Sequence, residues 1–553
     1  MQEILTVSDA ASLDQALARI GQTPAWTVMA LDYELAYLLE PAAAPAGWSA
    51  AAATRPLARF WRFAQCRPFS AAQAEAFLAP HAALPAGVAE IGAAWDETRY
   101  REAVHEIQRL IAAGDCYQVN LTYPLDFSWF GTPLALYARL RARQPVRYGG
   151  CIGDAESGIV SLSPELFFSR QADTLVTRPM KGTAPLSEPP ETLAQSAKNR
   201  AENLMIVDLL RNDLGRVAAT GSVRVDELFA LETYPTVRQM VSQISASVPG
   251  KSFSDLLRAL FPCGSITGAP KIRAMQIIHE LERQPRGVYT GAVGWLAPAG
   301  DCRLNVAIRT LELTAGQRGR MGVGSGIVAD SEAAGEWAEC ALKAAFLRVD
   351  PGLRLIETLR RENGIYPLWS GHLARLRRSA AAFGFPLDEA AVLQQLSLQP
   401  MRGTWRVRLT LDHAGRIEVT AQPLDSGPPV EKLAWLATQP ILADDVLRRH
   451  KTTARAAYDA ALATLPADGS VFDAVFLNER GEVAEGARST VFVERDGMLL
   501  TPPLTSGALP GVLRAHLLAS GKAREAVLWP ADLSAGFWLG NALRGLQPVR
   551  LSS

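Results

Sequence analysis

Of the 56 basic residues in this 553-residue chain only eight are lysines: Lys181, Lys198, Lys251, Lys271, Lys343, Lys432, Lys451 and Lys522. Surface charge is written almost wholly as arginine, which cannot act as base or nucleophile near neutral pH. A lysine here more often marks a place where a deprotonatable amine is wanted. Lys451 follows Arg448, Arg449 and His450, and added positive charge lowers an amine's pKa. A basic surface cluster would read the same way.

Two glutamates lie on helical stretches, Glu202 in KNRAENLMIVDLLRNDLGRV and Glu339 in SGIVADSEAAGEWAECALKA. A hard cation such as Mg²⁺ takes one or two carboxylates, adds oxygens of a substrate and keeps water elsewhere. Glu339 and Lys343, at i and i+4, also suit an ordinary helix ion pair. Gly322-Val323-Gly324-Ser325-Gly326 lacks the properly spaced third glycine and the downstream helix register of a dinucleotide loop, and Gly264 to Lys271 lacks Walker spacing. Both can offer backbone N–H groups to a carboxylate, and both can be plain tight turns.

The elements that must position these groups read as α+β. Glu97 to Ala113 has helical spacing through Val104, Ile107, Leu110 and Ile111 and stops at Gly114-Asp115. Tyr117–Phe127, Gly158–Leu162 and Leu166–Arg170 read as strands. Ala201–Val217 reads as a helix with Leu204, Val207, Leu210 and Leu214 on one face, and the helix bearing Glu339 starts near Ser331. Leu78 to Gly87 is broken by proline and reads as a loop. Asp350-Pro351-Gly352 is a turn and a seam between two functional blocks. A strand at Leu353–Arg360 and a helix at His372–Phe383 follow. The expected division is 1–95, 96–349 and 353–553.

Length sets a prior of three or four domains at ~150 residues each. Hydrophobic residues are 48% and charged residues 20%, an ordinary globular balance. Basic and acidic residues stand at 56 each, so no net field recruits nucleic acid or an anionic membrane. No 18-residue apolar run occurs, and Glu3 and Asp9 precede the first arginine, Arg19, unlike a signal peptide. Cys66, Cys116, Cys151, Cys263, Cys302 and Cys340 form no C-x-x-C, which suits reduced, buried thiols in a cytoplasmic protein.

Taken in order, several motifs resemble the chorismate-utilising enzymes, namely anthranilate, aminodeoxychorismate and isochorismate synthases. They are Gly114-Asp115-Cys116-Tyr117-Gln118-Val119-Asn120-Leu121, Ser163-Pro164-Glu165, Arg178-Pro179-Met180-Lys181-Gly182-Thr183, the Glu202–Val217 helix, Gly264–Lys271, Ile308-Arg309-Thr310, and Gly324–Ser331 with Glu339. The resemblance spans roughly residues 95–349 and implies an antiparallel β-sandwich with outer helices. It implies that Glu202 and Glu339 hold Mg²⁺ against the ring carboxylate of chorismate. Glu165 would be the general acid for the leaving C4 hydroxyl, which needs a raised pKa. Arg309 and Tyr289 would hold the enolpyruvyl carboxylate, and Thr267 and Gly268 would lie against the ring.

Two positions divide the subfamilies. Isochorismate synthases carry a water-activating lysine where this chain has Gln118. Anthranilate synthases carry alanine where it has Lys181. Aminodeoxychorismate synthases have lysine there, attacking C2 before ammonia displaces it by attack at C4; an amine must be neutral to do so. A lysine pairing a substrate carboxylate is the other reading. Residues 1–95 match least, and the tryptophan pocket that relatives often hold there is not located.

The second block resembles the fold-type IV pyridoxal-phosphate enzymes, which include class IV aminotransferases and aminodeoxychorismate lyase. The motifs are Ile356-Glu357-Thr358-Leu359-Arg360, Gly371-His372-Leu373-Ala374-Arg375-Leu376, Arg449-His450-Lys451-Thr452-Thr453, Gly481 to Gly486, Leu500-Thr501-Pro502-Pro503, Leu509 to Arg514 and Asn541-Ala542-Leu543-Arg544-Gly545. By that resemblance Lys451 carries pyridoxal phosphate and moves protons, and Glu485 faces the pyridine nitrogen. Arg375, the backbone of Val512 and Leu513, and the Asn541-Ala542 turn hold the phosphate. The usual opening strand and tyrosine- and glycine-rich turn are missing. Thr490 stands where asparagine is frequent, and Leu513 where threonine is.

These resemblances imply a two-block enzyme taking chorismate to 4-amino-4-deoxychorismate and then to 4-aminobenzoate for folate synthesis. No Cys–His–Glu glutaminase is evident, so ammonia comes from solution or from a glutamine amidotransferase subunit. A homodimer through the C-terminal block is compatible with this. The alternative is an anthranilate synthase component I whose residues 353–553 are a non-catalytic scaffold.

Overall fold

Alternating apolar residues near 117–127 become the strand Gln118–Phe130, in which every side chain but that of Asp126 is buried. It lies inside a seven-stranded antiparallel sheet with both edges paired, and the burial of successive residues shows that both faces are covered. The computed structural model describes residues 1–50, 55–233, 237–424 and 431–552.

That sheet runs Gly268–Ala269, Gln118–Phe130, Arg318–Ile327, Thr310–Thr314, Gly158–Ser161, Gly150–Gly153, with Gly87–Ala93 also paired to Gln118–Phe130. A ten-stranded sheet joins Glu3–Val7, Ala58–Phe63 and Trp26–Leu31 to Ala292–Leu296, Cys302–Val306, Leu166–Gln171, Thr174–Arg178, Val237–Ser247 and Met180–Pro185, with Arg224–Thr233 beside Val237–Ser247. The two sheets make the expected antiparallel sandwich, each with its own buried core.

Two of the chain's passages between the sheets lie side by side. Gly158–Ser161 leads to Leu166–Gln171, and Cys302–Val306 leads to Thr310–Thr314. The crossings are stapled together: Val306 N–H donates to the Glu165 carbonyl at 3.1 Å and Leu162 N–H to the Arg309 carbonyl at 3.0 Å. Glu165 and Arg309 therefore stand on adjacent crossovers.

Helices cover the sandwich. Ala197–Gly215 begins four residues before the expected Ala201, because the Ser196 hydroxyl accepts from Asn199 N–H at 3.3 Å and caps it. Its buried face is Asn203, Ile206, Val207, Leu210 and Leu214, and Leu204 is exposed. The stripe is turned because Asn203 goes inward, its Oδ1 accepting from Ser242 Oγ at 2.6 Å. Residues 71–82, partly expected as loop, are the helix Ala71–Ala82, started by a Ser70–Gln73 capping box and carrying Pro80 in its last turn. Glu339 lies on Ala333–Ala344.

In the C-terminal block a three-stranded sheet, Leu355–Glu362, Thr404–Leu411 and Ile417–Pro423, packs on the helix Trp369–Phe383. A mixed eight-stranded sheet follows, from Lys432–Leu436 to Gly545–Leu551. All six cysteines are free, but Cys66 is exposed and Cys151 half-buried, which corrects the expectation of buried thiols throughout. Among the described residues no helix is long and apolar enough to cross a membrane.

Candidate active sites

Lys181 sits in a β-bulge. The pairing of Met180–Pro185 with Val237–Ser247 shifts register between Met180 and Thr183, and Gly182 takes φ +82°. A bulge re-aims the side chain it carries. The amine donates to the Ser265 carbonyl at 3.4 Å, and the Ser265 hydroxyl donates to Glu165 Oε1 at 2.7 Å. Lys181 and Glu165, 16 residues apart in sequence, are thus joined through one serine. Burial raises the Glu165 carboxyl above its usual range, against the opposing pull of Lys181, the Ser265 hydrogen bond and Lys343.

Glu202 lies half-buried on the helix Ala197–Gly215. Burial raises its pKa; Lys181 and Lys198 oppose this, and Glu336 and Glu339 add to it. The Glu202 and Glu339 carboxylates therefore share one field, with Lys181 beside them. Glu339 also holds Lys343 at 2.8 Å, the helix ion pair that the spacing allowed. Among the described residues no three or more His, Cys, Asp or Glu side chains form a closed metal cluster. An open pair of carboxylates is the donor set a hard cation uses when substrate supplies the remaining oxygens.

Gln118 and Gly268 meet directly. A Cβ on Gly268 would come 2.1 Å from the Gln118 carbonyl, so only glycine fits, at φ +143°. The Gln118 side chain is buried and its Nε2 has no partner among the described residues. Thr267 is fully buried and its hydroxyl turns back onto the Gly264 and Cys263 carbonyls, at 3.1 and 3.3 Å. Tyr289 is buried under Gly322, where a Cβ would strike its ring at 2.0 Å. Burial pushes the Tyr289 phenol well up. Arg309 is half-buried, its backbone in the left-handed region at φ +50°.

In the C-terminal block, Lys451 and Glu485 line a cavity of about 360 Å³, and so do Arg375, Val512, Leu513, Asn541 and Ala542. Burial pushes the Lys451 amine down to about 8, helped by Arg375 and Arg455 and opposed by Glu357 and Glu485. Glu485 is buried, which raises its carboxyl; Tyr458 donates its hydroxyl to Oε1, and Leu509 N–H donates to Oε2 at 2.9 Å. Val512 and Leu513 open the helix Val512–Ala519, whose first N–H groups lack intrahelical partners. Asn541 Oδ1 closes its turn by accepting from Leu543 and Arg544 N–H at 3.1 and 2.9 Å.

Residues 2–349 match the family model described as chorismate binding enzyme. The chain belongs to this family. Within the chorismate-binding family it is 45% identical over 248 residues to the aminodeoxychorismate synthase component 1 of Klebsiella aerogenes, covering 43% of this chain and 55% of that one. It is 40% identical over 269 residues to the anthranilate synthase component 1 of Pseudomonas putida, covering 47% and 53%. The chain spans about half the length of the curated relatives it matches. Among solved structures, the anthranilate synthase component I of Streptococcus pneumoniae TIGR4 matches with a TM-score of 0.50 at 27% identity, over 58% of this chain and 80% of that one. Residues 354–551 match the model described as amino-transferase class IV.

Four residues of these sites were not singled out by sequence. Ser265 lay inside a quoted motif, but nothing in its spacing pointed to Glu165. Glu336, one turn before Glu339, has the i, i+3 spacing that could have found it. Glu357 is buried and accepts from Arg375 Nε and Nη2 at 2.8 and 2.6 Å, with His372 Nδ1 2.6 Å away. Burial alone would raise Glu357; Arg375 and His372 overcome it and hold the carboxyl at about 2. Tyr458 was hidden because only the fold brings it to Glu485.

Proposed function

We propose that the chorismate-binding block converts chorismate and ammonia to 4-amino-4-deoxychorismate, and that the C-terminal block eliminates pyruvate from it to give 4-aminobenzoate. The observation that carries this reading is the Lys181–Ser265–Glu165 connection. A nucleophilic amine and a carboxyl of raised pKa meet at one serine, as C2 attack with loss of a C4 hydroxyl requires.

In this reading Lys181 attacks C2 of chorismate, the ring double bonds shift, and the C4 oxygen leaves as water with a proton from Glu165. Ammonia then attacks C4, the double bonds shift back, and the Lys181 nitrogen leaves C2. Glu202 and Glu339 would hold Mg²⁺, which supplies positive charge for the ring carboxylate. Arg309 and Tyr289 would receive the enolpyruvyl carboxylate. Ammonia would come from a separate glutamine amidotransferase subunit.

The second cavity suits pyridoxal phosphate. His372 Nε2, at its edge, is buried without a partner among the described residues, and Arg375 is fixed by Glu357. Arg375, the Val512 and Leu513 N–H groups and the Asn541 turn would hold the phosphate, and Glu485 would face the ring nitrogen. The cofactor, when bound through Lys451, supplies an electron sink. Lys451, with an amine near 8, can both give and take a proton at neutral pH. Arg406, Arg408 and Arg544 also line this cavity, and their side chains have no hydrogen bond or ion pair among the described residues. Three guanidinium groups lining one cavity suit a substrate with two carboxylates.

Product analysis tests the proposal: purified protein with chorismate, Mg²⁺, pyridoxal phosphate and a concentrated ammonium salt, read by mass. The expected products are 4-aminobenzoate and pyruvate. Aminodeoxychorismate alone would remove the lyase reading, and anthranilate would overturn the role of Lys181. Glutamine replacing ammonium only when an amidotransferase is added would support that partner.

A further inference from the structure

The segment that delivers Lys451 is fastened from outside its own block. Val446–Arg449 form a short helical turn just before His450 and Lys451. Val446 N–H donates to Gln317 Oε1 at 2.7 Å, and Gln317 belongs to the turn between Thr310–Thr314 and Arg318–Ile327 of the chorismate-binding block. Arg449 lies 3.6 Å from Glu90 Oε2, an oxygen that also accepts from Ser128 Oγ at 2.8 Å. Phe130 meets Phe383 edge-on at 5.8 Å, and Phe383 meets the His450 ring at 4.8 Å. Phe130 and Ala89 share one buried core with Leu353, Leu376, Phe383 and Val446.

Two of these contacts come from backbone positions that ordinarily favour glycine. Glu90 has φ +56° and Gln317 has φ +57°. A non-glycine residue held there is strained, and such strain persists where the side chain has a task. Glu90 sits in the bulge of Gly87–Ala93, where pairing skips from Ala89 to Gly92. Gln317 follows Gly316, itself at φ +72°, so the hairpin already has one glycine to make its turn. Both side chains reach the same short segment. From the other side Ile356 N–H donates to the Lys451 carbonyl at 2.8 Å. The segment 446–451 is therefore held between the strand Leu355–Glu362, which bonds the Lys451 carbonyl, and the neighbouring block, which bonds Val446 and Arg449.

We propose that Gln317, Glu90 and Phe130 are positioning residues for Lys451, so that the chorismate-binding block forms one wall of the second active site's mount. This rests on the reading that Lys451 carries pyridoxal phosphate. Such a wall makes the second site depend on the first block without any transfer of substrate between them. It also gives the class IV block, which begins without the usual opening strand, a surface against which to hold its lysine.

The test uses the full chain with Gln317→Ala, Gln317→Glu and the double variant Glu90→Ala/Gln317→Ala. Pyridoxal phosphate affinity is read from the visible absorbance of the lysine-bound cofactor, hydrogen exchange from residues 446–451, and the ammonium-dependent consumption of chorismate serves as the first-block control. The double variant is expected to bind the cofactor about tenfold more weakly and to exchange faster at Val446, with chorismate consumption within twofold of wild type. Gln317→Glu keeps an acceptor for Val446 N–H and should restore wild-type affinity. Unchanged affinity and exchange in the double variant would overturn the proposal, and so would equal losses in both blocks, which mark general destabilisation. If wild-type protein shows no Lys451-dependent absorbance, it is the cofactor reading that fails.

Discussion

Ser265 donates its hydroxyl to Glu165 Oε1 at 2.7 Å in a fully buried setting. That bond favours the ionised carboxylate and so works against the burial that raises Glu165. A general acid must be protonated, so its contribution falls as pH rises through its pKa. Ser265→Ala removes the donor, and Glu165 should then hold its proton to higher pH. The alkaline limb of kcat/KM for chorismate is expected to move up, while kcat at neutral pH drops about tenfold because the carboxyl loses its anchor. A limb that stays in place or moves to lower pH would remove Ser265 from the acid's control.

Lys181→Ala tests the nucleophile. A covalent route loses its first bond, so chorismate consumption should fall by on the order of 10³-fold or more even at high ammonium. Lys181→Arg keeps the positive charge but not a deprotonatable amine, and should be equally inactive. If Lys181→Arg retains most activity, the side chain serves only to pair a substrate carboxylate.

Glu202→Gln and Glu339→Gln each remove one of two carboxylates that share a field. Each should raise the Mg²⁺ concentration needed for half-maximal rate by about 100-fold, with the rate partly recovered at high Mg²⁺. Glu336→Gln should have a smaller effect, since the Glu336 carboxylate already accepts from Ser331 Oγ at 2.8 Å. Equal Mg²⁺ dependence in all three variants and in wild type would mean these carboxylates hold no ion.

How far the sequence revealed the molecule depended on the kind of interaction. Apolar periodicity placed the helix now seen at Glu97–Ala112 and the strand Gln118–Phe130, because burial of one face or of a whole strand writes itself into residue type. The same rule failed at Leu204, where one polar contact, Asn203 to Ser242, turned the helix and left the leucine outside. The family resemblance and the scarcity of lysine pointed to Lys181 but not to its partner, since Ser265 is 84 residues away. Glu165 and Arg309 were both named, yet their adjacency comes from two neighbouring crossings that run in opposite directions between the sheets, a topology that no local pattern states. The hold of Gln317 and Glu90 on the Lys451 segment was wholly hidden, because both act across the seam.

Arg406 and Arg408 project from alternate positions of Thr404–Leu411 into the cavity, and Arg544 faces them from the Asn541 turn. Burial lowers the pKa of Arg408 and of Arg544; Arg406 and Arg455 add to this at Arg408 against the pull of Asp459, and Arg488 and Arg406 add to it at Arg544. An anionic substrate would relieve that repulsion. Arg406→Gln, Arg408→Gln and Arg544→Gln should each cut kcat/KM for aminodeoxychorismate by about 10- to 100-fold, mainly through KM, with cofactor affinity unchanged. Losses confined to kcat, or equal losses of cofactor, would mean the arginines serve the phosphate or the fold instead.

Lys451 leaves a signature in stability as well as in catalysis. Its amine titrates near 8 in the folded chain against 10.5 for a free lysine, chiefly because burial disfavours the charged form. A cation whose folded pKa is depressed destabilises the native state. The penalty is complete below pH 8, shrinks as pH rises from 8 to 10.5, and is absent above. Cofactor-stripped Lys451→Met should therefore melt at a higher temperature than stripped wild type at pH 7, and the gap should narrow steadily as the pH approaches 10. A variant less stable at pH 7, or a gain that does not change with pH, would show that the Lys451 amine is not held in a setting that favours its neutral form.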